Sequence, residues 1–154
     1  MILKCFINGK AVTADISPDM ALLEFVRSQG CYSVKRGCET ANCGLCTVWV
    51  DGTPVLSCST PAMRVEGKKV TTLEGLQKEA EEFALFLGGE GAEQCGFCAP
   101  GFVMNVLAMV RELEDPTEDE IKEYLAGNLC RCTGYSGQIR AIKKYLAWKK
   151  EQEA

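Results

Sequence analysis

The chain has no histidine among its 154 residues. That absence excludes a Cys/His zinc finger, a Rieske-type centre and a Cys–His nucleophilic pair built from this chain alone. It also removes the commonest general base near neutral pH. Long apolar runs are missing too: none approaches the roughly 18 residues that span a bilayer. The first residues, MILKCFINGK, lack a basic region, a long apolar core and a small-residue cleavage site, so no secretory signal is expected. Positive charge is sparse, with a formal net charge of −4, and a nucleic-acid partner would need a clustered basic face. Lys143, Lys144, Lys149 and Lys150 do gather near the C-terminus, at spacings that suit the wet side of a helix. A cytoplasmic protein without a membrane span is the expectation. Its apolar fraction of 47% and charged fraction of 25% suit a globular chain.

What the sequence does contain is sulfur: ten cysteines. Thiols stay reduced in the cytoplasm, so this density points to metal or redox chemistry rather than to disulfides.

The chain reads as two halves of different character, an α+β organisation with domains at residues 1–75 and 76–154. In the first, ILKCFI and KAVTADI flank Asn8-Gly9, a two-residue hairpin signal. Ser17 offers an N-cap and Pro18 a first helical position for DMALLEFVRSQ, which Gly30 would stop. A second hairpin, CTVWV and TPVLSC, turns at Asp51-Gly52, and KKVTTLEGL reads as a last strand leading to a connector. Strands with one helix across them suggest a half-open sheet of the β-grasp kind. The second half reads as four helices, a small bundle. LQKEAEEFALFLG comes first, then GFVMNVLAMVREL with Phe102, Val103, Val106, Leu107 and Val110 on one stripe. TEDEIKEYLAG follows, opened by a capping box of Thr117 and Glu120, and GQIRAIKKYLAWKK closes the chain. So small a core needs a staple, and cysteines can supply one. No internal repeat or low-complexity linker interrupts the chain.

Cys38, Cys43, Cys46 and Cys58 are spaced C-x4-C-x2-C-x11-C. The opening C-x4-C-x2-C is that of plant-type 2Fe–2S loops, whose fourth ligand lies further along. Such a loop bends round a flat two-iron core with backbone N–H groups aimed at sulfur, and small residues such as Gly37, Ala41 and Gly44 permit the approach. Zinc more often takes paired C-x2-C knuckles, and disulfides or free thiols are the remaining readings. The second set is Cys95, Cys98, Cys130 and Cys132: C-x2-C, 31 residues, then C-x-C. Each pair precedes a predicted helix, so two positive helix ends would face one anionic centre. Taken alone, this spacing also suits a four-thiolate zinc site.

Together the two sets, with QCGFCAPGFVMN and GNLCRCTGY, resemble the two-cluster iron–sulfur subunit of the molybdenum hydroxylases, the xanthine dehydrogenase and aldehyde oxidoreductase family. The resemblance runs through the whole chain, from the Asn-Gly hairpin to the final helix. It implies a plant-ferredoxin-like β-grasp domain holding one 2Fe–2S cluster, then a four-helix bundle holding the other. Cys38, Cys43, Cys46 and Cys58 would hold the outer cluster, and Cys95, Cys98, Cys130 and Cys132 the inner one. Gln94 and Cys132 would touch the molybdopterin of a large molybdenum subunit, and electrons would pass through both clusters to FAD on a medium subunit. A dimer of heterotrimers and a xanthine or purine substrate follow from the same likeness, with nicotinate, carbon monoxide and aldehydes as alternatives. Ala41 and Ala99 depart from the Gly and Thr frequent in the family, and GYSGQI falls where the family varies.

Two readings of other classes compete. A free-standing ferredoxin explains the first set but leaves the helical half and Gln94 without a purpose, and a zinc-stapled interaction module would have no redox role. Cys5 and Cys31 read as packed free thiols, since two sets of four exist without them. Trp49 reads as a core or interface residue, Met104 and Met109 as bundle core, and Glu79, Glu81 and Glu82 as a solvated helix face.

Overall fold

A computed structural model describes all residues, 1–154. Strands β1 (Ile2–Ile7) and β2 (Lys10–Asp15) form the first hairpin. Asn8 and Gly9 both take left-handed backbone, φ 50° and 80°, as a tight hairpin turn with matching twist requires. Asp51 and Gly52 repeat that geometry, φ 50° and 84°, between β3 (Thr47–Val50) and β4 (Thr53–Leu56). The last strand, β5 (Lys69–Thr71), runs parallel to β1 and antiparallel to β3. The sheet order is therefore β2-β1-β5-β3-β4. Pro54, which cannot donate to a ladder, sits on the edge strand β4.

Helix α1 (Leu22–Ser28) crosses one face of this sheet. Its start differs from the sequence expectation: Ser17 and Pro18 form a turn, and the helix begins only at Leu22. The chain before it is held extended by a neighbouring segment. Ala62 N–H donates to Met20 O and Leu22 N–H to Thr60 O, both at 2.8 Å. Alternation in β1 turns Leu3, Cys5 and Ile7 inward, against Leu22, Phe25 and Val26. Cys5 and Cys31 are buried in this apolar core, where desolvation raises the pKa of both thiols.

Four helices follow: α2 (Gln77–Gly89), α3 (Ala99–Glu112), α4 (Glu118–Tyr124) and α5 (Ser136–Glu153). The expected capping box opens α4, with Glu120 N–H donating to Thr117 Oγ1 and Thr117 N–H to the Glu120 carboxylate. Phe102, Val103, Val106 and Leu107 pack with Phe83, Leu87, Ile142 and Tyr145 in a second core that also takes Met104 and Met109. The lysine-rich face of α5 is tied down by ion pairs. Lys143 meets Glu118 at 2.9 Å, and Arg140 and Lys144 share Glu90.

Trp49 joins the sheet to the helices. Its side chain belongs to the helical core, its Nε1–H donates to Met104 O at 3.0 Å, and the Arg111 guanidinium lies 4.7 Å above its ring. Backbones meet nearby as well. A Cβ on Gly101 in the first turn of α3 would lie 2.8 Å from Leu45 Cα and nearer still to Gly44 O.

Candidate functional site

The loop from Lys35 to Cys46 carries the first three cysteines between α1 and β3, and a short 3₁₀ turn after β4 supplies Cys58. The fold brings all four together. Cys38 faces Cys43, Cys46 faces Cys58, and the Cys58 thiol feels Cys38 and Cys43 as well. Backbone N–H groups of Asn42, Thr40 and Cys43 point at the Cys38 sulfur and lower its pKa to about 6. Burial, with Cys46 and the other two close by, pushes Cys58 up to about 11. Four thiols this close oppose one another's ionisation, and bound cations would remove that opposition.

The last four carbonyls of the loop are occupied by donors other than the cysteines. Cys43 O accepts from Leu129 N–H (3.0 Å), Gly44 O from the Thr47 hydroxyl (2.7 Å), Leu45 O from Lys35 N–H (3.3 Å) and Cys46 O from the Ser57 hydroxyl (2.7 Å). With the carbonyl dipoles engaged elsewhere, N–H groups are left to face sulfur, as an anionic centre requires. The small residues expected to admit such a centre divide their work. A Cβ on Gly37 would strike the Leu45 side chain at 2.6 Å and press to 3.2 Å from the Cys43 sulfur, whereas one on Gly44 would strike Gly127 O and Asn128 of the helical half. Ala41 holds φ 55°, a left-handed conformation that suits glycine better.

The second set assembles at one end of the bundle. Cys98 is the N-cap of α3, Cys95 lies just before it, and Cys130 and Cys132 sit in the α4–α5 connection. Cys95 faces Cys132, and Cys98 faces Cys130. All four line one cleft with Gln94, Thr133 and Gln138. Only one helix end meets the cysteines directly. Helix α5 starts at Ser136, after a turn through Thr133, Gly134 and Tyr135, the last at φ 71°. Thr133 takes over the donor role, its hydroxyl reaching the Cys130 sulfur at 3.2 Å and its N–H at 3.4 Å. Burial opposes ionisation of Cys130, but these bonds and the Cys132 N–H outweigh it and bring the thiol to about 7. Phe97 N–H, then the Cys132 thiol, lower Cys95, while burial and Cys130 raise Cys98 to about 11.

Both donor sets fit a dinuclear iron–sulfur centre better than a single zinc ion. In each, four sulfurs gather with two facing two, the arrangement that two bridged irons take up. Gln94, Cys95 and Cys132 are solvent-exposed at the second cleft, with Phe97, Leu129 and Tyr135 exposed on the same end of the bundle.

The two cysteine sites are joined by backbone. Leu129, the neighbour of Cys130, donates its N–H to the carbonyl of Cys43. Lys35, just upstream of Cys38, reaches Phe97 between Cys95 and Cys98, its Nζ 3.4 Å from the carbonyl and 4.9 Å above the ring. Leu129, Lys35, Thr133, Tyr135 and Gln138 escape a reading based on cysteine spacing. Gln138 alone leaves a trace in sequence: a polar residue in phase with the apolar Ile142 and Tyr145 of α5.

Comparison with known proteins agrees with this architecture. Residues 5–82 match the family described as "2Fe-2S iron-sulfur cluster binding domain", and residues 72–143 match the "[2Fe-2S] binding domain". The xanthine dehydrogenase iron-sulfur-binding subunit of Escherichia coli O157:H7 is 46% identical over 144 residues, covering 91% of each chain. The nicotinate dehydrogenase small FeS subunit of Eubacterium barkeri is 39% identical over 143 residues, covering 90% of each. Among solved structures, a chain of quinoline 2-oxidoreductase from Pseudomonas putida 86 superposes with a TM-score of 0.89 at 36% identity, covering 99% of this chain and 96% of that one. With a ferredoxin-like domain followed by a helical one, each of a 2Fe–2S family, this chain belongs to the iron–sulfur subunits of the molybdenum hydroxylases.

Proposed function

We propose that the chain conducts electrons from a molybdopterin centre on a large partner subunit to FAD on a medium one, within a xanthine or purine dehydrogenase. In this reading Cys38, Cys43, Cys46 and Cys58 hold the outer 2Fe–2S cluster. Cys95, Cys98, Cys130 and Cys132 hold the inner one, and the boundary between the two domains falls at residues 75 and 76. Each cluster supplies a one-electron carrier, and the chain's own residues do the rest. N–H groups of Asn42 and Phe97 stabilise thiolate charge at Cys38 and Cys95. Exposed Gln94 and Cys132 present the inner site to the molybdopterin, and apolar Phe97, Leu129 and Tyr135 offer that end of the bundle to the partner. The complex is a cytoplasmic dimer of heterotrimers.

The observation that carries the reading is the 3.0 Å hydrogen bond from Leu129 N–H to Cys43 O, a short covalent-plus-hydrogen-bond link between the two sites. A free-standing ferredoxin has no use for such a link. Xanthine is preferred over nicotinate because the xanthine-type relative is the more similar, 46% against 39% identity. The test is anaerobic purification with iron and acid-labile sulfide analysis. About four irons per chain and two EPR signals after dithionite reduction are expected. Zinc alone, or a chain without large partners, would sink the proposal. Oxidation of nicotinate but not xanthine by the purified complex would overturn the substrate.

A further inference from the structure

Gln138 occupies the first turn of α5 and is only 4% exposed. Polar side chains so enclosed are ordinarily hydrogen-bonded within the protein. Its amide forms no bond with any other group of the chain, although no fully enclosed side-chain nitrogen or oxygen lacks a partner. The amide therefore opens onto a cavity. Two cavities adjoin it: the cleft lined by Cys95, Cys98, Cys130 and Cys132, and a wider groove of about 680 Å³ between α4 and α5.

Both cavities adjoin the N-terminal end of α5, toward which helical side chains lean, and of the two the cysteine cleft, with room for about 10 Å³ against about 680 Å³, is the match for a side chain so enclosed. Side-chain donors lining the cleft are few. The Thr133 hydroxyl is already committed to the Cys130 sulfur, and Gln94 lies at the exposed rim. Gln138 is the buried donor that remains.

We propose that Gln138 Nε2–H donates a hydrogen bond to a thiolate or sulfide of the inner cluster and selectively raises its reduction potential. The inference rests on the inner cysteines holding that cluster. A donor stabilises the reduced centre, which carries one more negative charge, more than the oxidised one. A single hydrogen bond changes the reduced-to-oxidised ratio about tenfold, which is about 59 mV for a one-electron couple.

The test is an EPR-monitored reductive titration of the assembled complex, comparing the native protein with Gln138→Leu and Gln138→Glu. The leucine removes the donor, and the glutamate keeps the shape while adding negative charge. Both variants are expected to lower the inner potential, glutamate by more, with the outer potential unmoved as internal reference. Should leucine prevent assembly, the near-isosteric glutamate decides. An inner potential unchanged in an iron-replete variant, or equal shifts at both clusters, would overturn the proposal. Native protein with fewer than about four irons per chain would instead count against the two-cluster reading itself.

Discussion

Replacing Gly101 with alanine sets two effects of opposite sign against each other. Helix propensity favours alanine over glycine by about 1 kcal/mol inside a helix. The added Cβ, however, would sit 2.8 Å from Leu45 Cα and 3.0 Å from Leu45 C, where ordinary contact begins near 3.4 Å. These are backbone atoms and cannot rotate aside. The loop meets the helical half at a second place as well, where a Cβ on Gly44 would strike Gly127 O and Asn128. Overpacking of this kind costs about 1–3 kcal/mol. Backing α3 away also strains the nearby Leu129–Cys43 hydrogen bond, worth about 0.5–1.5 kcal/mol net. The net expectation is a loss of about 1–3 kcal/mol, or roughly 3–10 °C in Tm for a chain of this size. Thermal unfolding of the cluster-loaded protein, followed by far-ultraviolet circular dichroism, measures it. Gly88→Ala is the control: it lies in the last turn of α2 with nothing within 4 Å of the new methyl, and should leave Tm unchanged or raise it. A Gly101→Ala protein that melts at or above the native temperature would refute the claim that close backbone contact joins the two halves.

Ala41→Gly should stabilise the outer loop, because alanine at φ 55° bears a left-handed penalty of about 1–2 kcal/mol, only partly offset by glycine's greater unfolded entropy. A higher denaturant midpoint with unchanged iron content is the expected result, and a lower midpoint would contradict it. Trp49→Phe deletes the 3.0 Å bond to Met104 O and weakens the stacking of Arg111, so a loss of about 1–2 kcal/mol is expected in denaturant unfolding. Lys122 and then Lys143 hold the Glu118 carboxyl at about 2, below its ordinary 4.5. A carboxylate with a lowered folded pKa stabilises fully above the unfolded value, and the stabilisation fades as pH falls from 4.5 through about 2. Glu118→Gln should flatten the pH dependence of helix content in that window, and an unchanged acid transition would show the pair to be without effect.

Much of this protein was legible in the order of its residues. Hairpins follow from Asn8-Gly9 and Asp51-Gly52, whose residue types tolerate left-handed backbone, and α4 follows from its capping box, because these signals act within a few residues. Cysteine spacing likewise pointed to two sulfur sites, since the reach of a loop limits which thiols can share a centre. Long-range contact decided the rest. Helix α1 starts at Leu22 rather than beside Ser17 because Thr60 and Ala62, some forty residues away, hold its entry extended. Gly44 was read as room for a cluster, yet its bare Cα faces Gly127 and Asn128 across the junction of the halves. The link from Leu129 to Cys43 and the enclosure of Gln138 have no local signature. A backbone carbonyl is the same in every residue, and only the packing of two halves determines which N–H it meets.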